Sequence, residues 1–189
     1  MAKETQSAPR IIVAFQDYIP PFDAEKAIRR MLRIVPAKYL WGLHAVVLTN
    51  VGALSHNRRE QKGLGGRRAP LKEGLGHYTR AWRGQPAEIT LLLDNLEKRW
   101  GRSWLRFGFT RDVALTEVFY HELGHHIHRL HVPEYEGREN VADKWSKKLW
   151  GKFLRQQYWY LLPLIYPLWL ITRLGKEIKR QFREIQAKP

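Results

Sequence analysis

The stretch Thr116-Glu117-Val118-Phe119-Tyr120-His121-Glu122-Leu123-Gly124-His125, followed by Ile127 and Leu130, decides how the rest of the chain is read. Val118, Phe119, Leu123, Ile127 and Leu130 recur at three- and four-residue spacing, as on the buried face of a helix. A helix places residues i and i+4 on one face, so His121 and His125 can reach one metal ion. The pattern H-E-x-x-H is a zinc site with its own general base. Glu122 follows the first histidine directly and so sits beside the metal, placed to take a proton from a zinc-bound water. Zinc lowers the pKa of that water to roughly 7 and polarises a substrate carbonyl. Gly124 is costly inside a helix, which makes sense where another backbone packs against that turn. Thr110 or Asp112 is the expected N-cap, and Pro133 closes the helix. The plain alternative is a helix with two surface histidines and a chance glutamate.

A catalytic zinc site needs a third protein ligand, and two residues compete for the position. His131 lies ten residues after His121, the spacing of the metzincin pattern H-E-x-x-H-x-x-G-x-x-H. That pattern needs a glycine where this chain has His128, and a downstream methionine turn. The only methionines, Met1 and Met31, lie upstream. Glu139 is the better candidate. Glu139 and Asp143 are four apart on an expected second helix, so Glu139 can bind the metal while Asp143 accepts a hydrogen bond from a ligating histidine. The competing reading is an exposed, salt-bridged helix face beside Arg138 and Lys144.

E-x-x-x-D after H-E-x-x-H resembles the glutamate-helix signature of the gluzincins. The run Glu139-Asn140-Val141-Ala142-Asp143-Lys144-Trp145-Ser146 also resembles the corresponding helix of ImmA/IrrE-type metallopeptidases, which follows a similar H-E-L-G-H helix. The resemblance covers about Thr116 to Leu149. It implies that Ala142 packs near Gly124, that Trp145 enters the core, and that the chain has a regulatory role, often through cleavage of a bound repressor.

Upstream, the pattern predicts a small mixed unit. Ile11–Phe15 reads as a strand. Asp23 caps a helix through Ala27, Ile28, Met31, Leu32 and Val35 that ends at Pro36. Leu40–Thr49, Gly76–Trp82 and Ala87–Asp94 read as strands, the last two joined in a hairpin through Gly84-Gln85-Pro86. This order resembles the minigluzincin-like core, which implies that an extended substrate lies along an edge strand. One strand of the hairpin is the candidate edge. Ser55–Lys72, rich in Arg, Lys and Gly, reads as a flexible basic loop.

The chain has 189 residues, no cysteine and a formal net charge of +15. The length suits one core with an appendage. The absence of cysteine excludes disulfides and zinc thiolates. No basic-then-apolar leader opens the sequence, so a cytoplasmic address is expected. The charge excess lies in residues 55–83 and 144–189. Such clustering attracts nucleic acid, anionic lipid or an acidic protein, and no nucleic-acid motif chooses among them. Residues 158–172 carry no charge and are rich in Trp and Tyr. As one helix they span roughly 22 Å against a hydrocarbon core of ~30 Å, and Pro163 and Pro167 interrupt them. Packing on the domain fits this run best, followed by lying at or re-entering an anionic membrane surface, with a true transmembrane helix least favoured.

The expectation is therefore an α+β, zincin-like catalytic domain over residues 1–151. It has a small N-terminal sheet, an active-site helix and a glutamate helix, with an aromatic, basic helical appendage over 152–189. The expected function is hydrolysis of a protein or peptide substrate with Zn2+ held by His121, His125 and Glu139 and with Glu122 as base. Tyr135, Arg138, His126 and His128 are candidate donors to the oxyanion. The alternative is a zinc-containing regulator that binds nucleic acid, an acidic partner or a membrane without catalysis.

Overall fold

Runs of Val, Ile and Leu in the first half of the chain form one sheet, against which α1, α3 and α5 pack. The computed structural model describes residues 8–60, 70–131, 139–161 and 163. In chain order the elements are β1 (Arg10–Ala14), α1 (Ala24–Leu32), β2 (Leu43–Thr49), α2 (His56–Arg59), β3 (Gly76–Thr79) and β4 (Ala87–Leu92). They continue with α3 (Leu93–Trp100), α4 (Arg102–Arg106), α5 (Gly108–His131) and α6 (Glu139–Gln157). The chain divides into two compact units, Met1–Trp150 and Gly151–Pro189. The protein is α+β, with a four-stranded sheet and six α-helices among the described residues.

The sheet order is β1-β2-β4-β3. β1, β2 and β4 run parallel, and β3 runs antiparallel to β4. The inner strands are the most apolar, as strands covered on both faces must be. Ala45, Val46, Leu48, Ile89, Leu91 and Leu92 are all buried. β3 is an edge strand, with Gly76 opposite Leu91 and Thr79 opposite Glu88. Leu92 donates its N–H to the Leu75 carbonyl at 2.9 Å. In that antiparallel register, 77 and 79 bond to β4. Gly76 and Tyr78 then turn their N–H and C=O groups to the open edge.

α1 forms as expected. Asp23 accepts from the Lys26 N–H at 2.8 Å, and Ala27, Ile28 and Met31 are buried. Several other expectations need correction. The run Ala87–Asp94 is a strand only to Leu92, where α3 begins at once; Leu93 and Leu96 are its buried residues. α5 starts at Gly108, before both expected caps. Thr110 lies inside it and donates its hydroxyl to the Trp104 and Phe107 carbonyls. Asp112 is 1% exposed and pairs with Arg30 of α1 at 2.8 Å. A buried ion pair has replaced the capping role.

The expected loop over 55–72 is more ordered at its ends. Ser55 caps α2, Arg58 pairs with Glu88, and Arg59 donates to the Leu54 carbonyl at 2.9 Å. Its central residues lie outside those described. So does most of the uncharged run 158–172, of which Trp159–Leu161 forms a single 3-10 turn. Among the described residues, no helix is long and apolar enough to cross a membrane.

Candidate metal centre

α5 carries His121, Glu122 and His125, while α6 opens with Glu139 and brings Asp143 one turn later. Gly124 and Ala142 set how closely the two helices approach. A Cβ built on Gly124 would lie 2.6 Å from the Ala142 carbonyl oxygen and 2.8 Å from its Cα. Only glycine permits this contact. On the other side, a Cβ on Gly76 would lie 2.7 Å from Val118 Cγ1 and 3.0 Å from Glu122 Cγ. β3 therefore rests directly on the same stretch of α5. Two glycines wedge the motif between a strand and a helix.

The result is a convergent donor set. His121 Nε2 lies 3.2 Å from His125 Nε2 and 3.1 Å from Glu139 Oε2, and His125 Nε2 lies 3.8 Å from that same oxygen. Zinc bonds of roughly 2.0–2.2 Å set tetrahedral ligand–ligand separations of about 3.3–3.6 Å. The three donors fit that ion with shifts of a few tenths of an ångström. They are the only such cluster of three His, Asp or Glu ligands among the described residues. His121 Nδ1 lies 3.0 Å from Asp143 Oδ1. As the Nδ1–H donor to that carboxylate, His121 keeps the Nε2 lone pair facing the other two donors. Burial, reinforced by the neighbouring His121, lowers the pKa of His125 and holds it in the neutral form a ligand needs.

Burial pushes the Glu122 carboxyl up to about 7. His121 and a hydrogen bond from the Tyr78 N–H act against the rise, and Glu139 adds to it. Tyr78 presents that N–H from the open edge of β3. These groups line a cleft of about 870 Å³ between β3 with its lead-in, α5 and α6. Trp145, expected in the core, is only half-buried. It packs edge-to-face on Tyr39 at 4.9 Å, with the Lys148 ammonium 4.8 Å from its ring centre.

The candidate oxyanion donors separate by position. Tyr135 and Arg138 lie outside the described residues, as does the side chain of His131 at the end of α5. His128 lines the cleft one turn beyond His125. His126 does not. It is 2% exposed, with Nδ1 3.1 Å from the Tyr78 hydroxyl and Nε2 3.0 Å from the Trp41 carbonyl. His126 points about 100° round the helix from His125, and here that turn takes it out of the cleft. His126 instead ties α5 to β3 and to the turn before β2. Sequence reasoning missed the parts of Gly76 and Tyr78. The only signal was a glycine opening a short strand.

His126 gives a pH prediction. Burial lowers its pKa to about 4; Arg129 adds to the shift and the Trp41 carbonyl opposes it. The unfolded chain, with an ordinary histidine near 6.5, binds the proton first. Stability from the neutral His126 is therefore full above about pH 6.5 and is lost as pH falls towards 4. The expected loss is a few kcal/mol across that window. His126→Gln should melt lower at neutral pH and show a shallower decline between about pH 6.5 and 4. Urea titrations of both proteins over that range check it, and parallel slopes would refute it.

Comparison with known proteins adds no relative: no family model, curated protein or solved structure matches the chain.

Proposed function

We propose that this chain is a zinc-dependent peptidase of gluzincin type, with a zincin-like arrangement of β3, α5 and α6 like that of the ImmA/IrrE-type and minigluzincin-like families. The observation that carries the proposal is the convergence of His121, His125 and Glu139 donor atoms beside the desolvated carboxyl of Glu122, in an open cleft. Bound there, zinc supplies a Lewis acid for a peptide carbonyl and brings the pKa of a water to roughly 7.

The chain's own residues do the rest. Glu122 accepts the proton of the attacking water and delivers it to the nitrogen of the leaving amine. The Tyr78 N–H holds the carboxyl on the β3 side. Asp143 fixes the tautomer of His121. The outward main-chain groups of Gly76 can pair with an extended peptide added to β3. Of the candidate oxyanion donors among the described residues, His128 is the one that lines the cleft. A zinc site serving structure alone has no use for a carboxyl placed beside the donor set in an open cleft, which disfavours the regulator without catalysis.

Two measurements test the proposal. The purified protein should hold about one zinc per chain by elemental analysis. His121→Ala, His125→Ala and Glu139→Ala should each fall well below that. Asp143→Ala should bind zinc about 10- to 100-fold more weakly, and His131→Ala should retain it. If His131→Ala empties the site and Glu139→Ala does not, the third ligand is His131. For activity, zinc-loaded protein incubated with a mixed peptide library should create new termini by mass spectrometry. They should vanish with a chelator and return with zinc. No new termini across varied peptides would overturn the peptidase assignment.

A further inference from the structure

β1 forms the edge of the sheet opposite β3. Hydrogen bonds at its end fix which way its main chain points. The Ala14 carbonyl accepts from the Thr49 hydroxyl of β2 at 2.6 Å. Gln16 donates its N–H to the Asn50 side chain, just past β2, and its carbonyl accepts from the same side chain, both at 2.9 Å. Successive strand residues turn their N–H and C=O groups to opposite sides. The register with β2 is unbroken from Arg10 to Ala14, so Arg10, Ile12 and Ala14 bond to β2. Ile11 and Val13, with Phe15 in continuation, turn theirs to the other side. Among the described residues, no strand covers that side.

Apart from Arg10 at its start, this edge is unguarded. Edge strands are ordinarily blunted by lysine, proline or a bulge, and Arg10–Ala14 reads Arg-Ile-Ile-Val-Ala with an even register. Ile12 and Val13 point to opposite faces of the sheet, yet they are 42% and 50% exposed. Residues 9–17 carry one cation, Arg10, and one anion, Asp17, in a chain of net charge +15. A locally neutral edge gives nucleic acid or an acidic partner little to hold. Its outward donors and acceptors match another strand.

The stretch that can pair is bounded at both ends. Pro9, at the next outward position, has no N–H, and Asp17, with φ of +51°, turns the chain off the strand. Val13 is the midpoint. Antiparallel pairing of two copies about Val13 sets Val13 against Val13 and Ile11 of each copy against Phe15 of the other. Every outward donor and acceptor from Ile11 to Phe15 is then met. Arg10 of each copy falls opposite Gln16 and beside Asp17 of the other, so the ends attract. Pairing about Ile12 would instead set Pro9 against Phe15 and leave the Phe15 carbonyl without a donor.

We propose that β1 is a self-association edge, through which two copies join into one continuous sheet with a two-fold axis at Val13. The two β3 strands then lie at the far edges of the joined sheet, roughly 34 Å apart at about 4.8 Å per strand. The pairing leaves both clefts uncovered and does not depend on the peptidase assignment. So short a strand pair buries less than a standard interface, so the dimer is weak and dependent on concentration.

Sedimentation velocity of the full chain, over a roughly hundredfold range of concentration, should show a shift towards twice the monomer mass. Val13→Pro removes an outward N–H and no bond to β2, which an edge strand tolerates. Val13→Lys keeps the backbone and sets like charges against each other on the axis. Each should remain monomeric at the highest concentration and melt, in dilute solution, close to the parent. The chain has no cysteine, so a short bismaleimide should join Val13→Cys into a dimer and leave the exposed control Ser103→Cys unjoined. A parent that is monomeric at every concentration would overturn the proposal, even if the edge then took an extended peptide. So would a dimer that survives both substitutions, or equal cross-linking at positions 13 and 103. If Val13→Pro fails to fold, Val13→Lys and the cross-link still decide.

Discussion

Glu122→Gln should keep its zinc and its fold and lose about 10²- to 10⁴-fold in peptide hydrolysis, the usual share of a positioned acid–base group. The amide is nearly the same size as the carboxyl and its oxygen can still accept from the Tyr78 N–H, so the β3 contact survives. It cannot accept the proton of the attacking water. None of the candidate metal donors, His121, His125 and Glu139, changes. Zinc content, melting temperature and kcat/KM on one cleaved peptide form the test. Hydrolysis within a few-fold of the parent would remove Glu122 from the chemistry. Lost zinc would instead show that Glu122 helps to hold the metal. The burial that raises its pKa to about 7 gives a second expectation. The desolvation is relieved when the charge is removed, so metal-free Glu122→Gln should be no less stable than the metal-free parent at neutral pH.

The convergence of the candidate donors was legible from sequence because each sits on a regular helix with fixed periodicity. Spacing alone put His121 and His125 on one face, and Glu139 and Asp143 on another. What spacing cannot give is the angle and distance between two helices. That depended on Gly124 meeting the Ala142 backbone; the glycine itself pointed to a close backbone, and only the family resemblance pointed to Ala142. The misreadings share one physical origin, in contacts between residues distant in sequence. Asp112 has the chemistry of a cap, but its partner Arg30 is 82 positions away. Leu91-Leu92-Leu93 reads as unbroken strand because apolar side chains do not mark the point where β4 turns into α3. The edge position of β3 is likewise a property of the sheet order. No local pattern in Gly76–Thr79 announces it. His126 and His128 looked equivalent as donors until the turn of α5 sent one inward and the other into the cleft.

Gly124→Ala should be the most damaging Gly→Ala change among the described residues, lowering stability by about 1–3 kcal/mol and zinc affinity with it. By helix propensity alone this substitution should stabilise by roughly 1 kcal/mol, so the sign of the result is diagnostic. The added Cβ would sit 2.6 Å from the Ala142 carbonyl oxygen and 2.8 Å from its Cα. Neither atom belongs to a side chain that can rotate away, so α6 as a body must move off α5. That movement carries Glu139 from His121 and His125, and Asp143 from His121, breaking contacts of 3.0–3.8 Å. Ala142→Gly in the same protein should not rescue it, because the obstruction is backbone. Gly151→Ala, where an added Cβ meets nothing within 4 Å, is the matched control and should be neutral or slightly stabilising. A fall of several degrees in melting temperature is expected for Gly124→Ala, with a weaker zinc dissociation constant in chelator competition. A Gly124→Ala protein that melts higher than the parent and keeps its zinc would show that the two helices are not locked at this contact. The short path from α6 to the metal donors would then need another anchor.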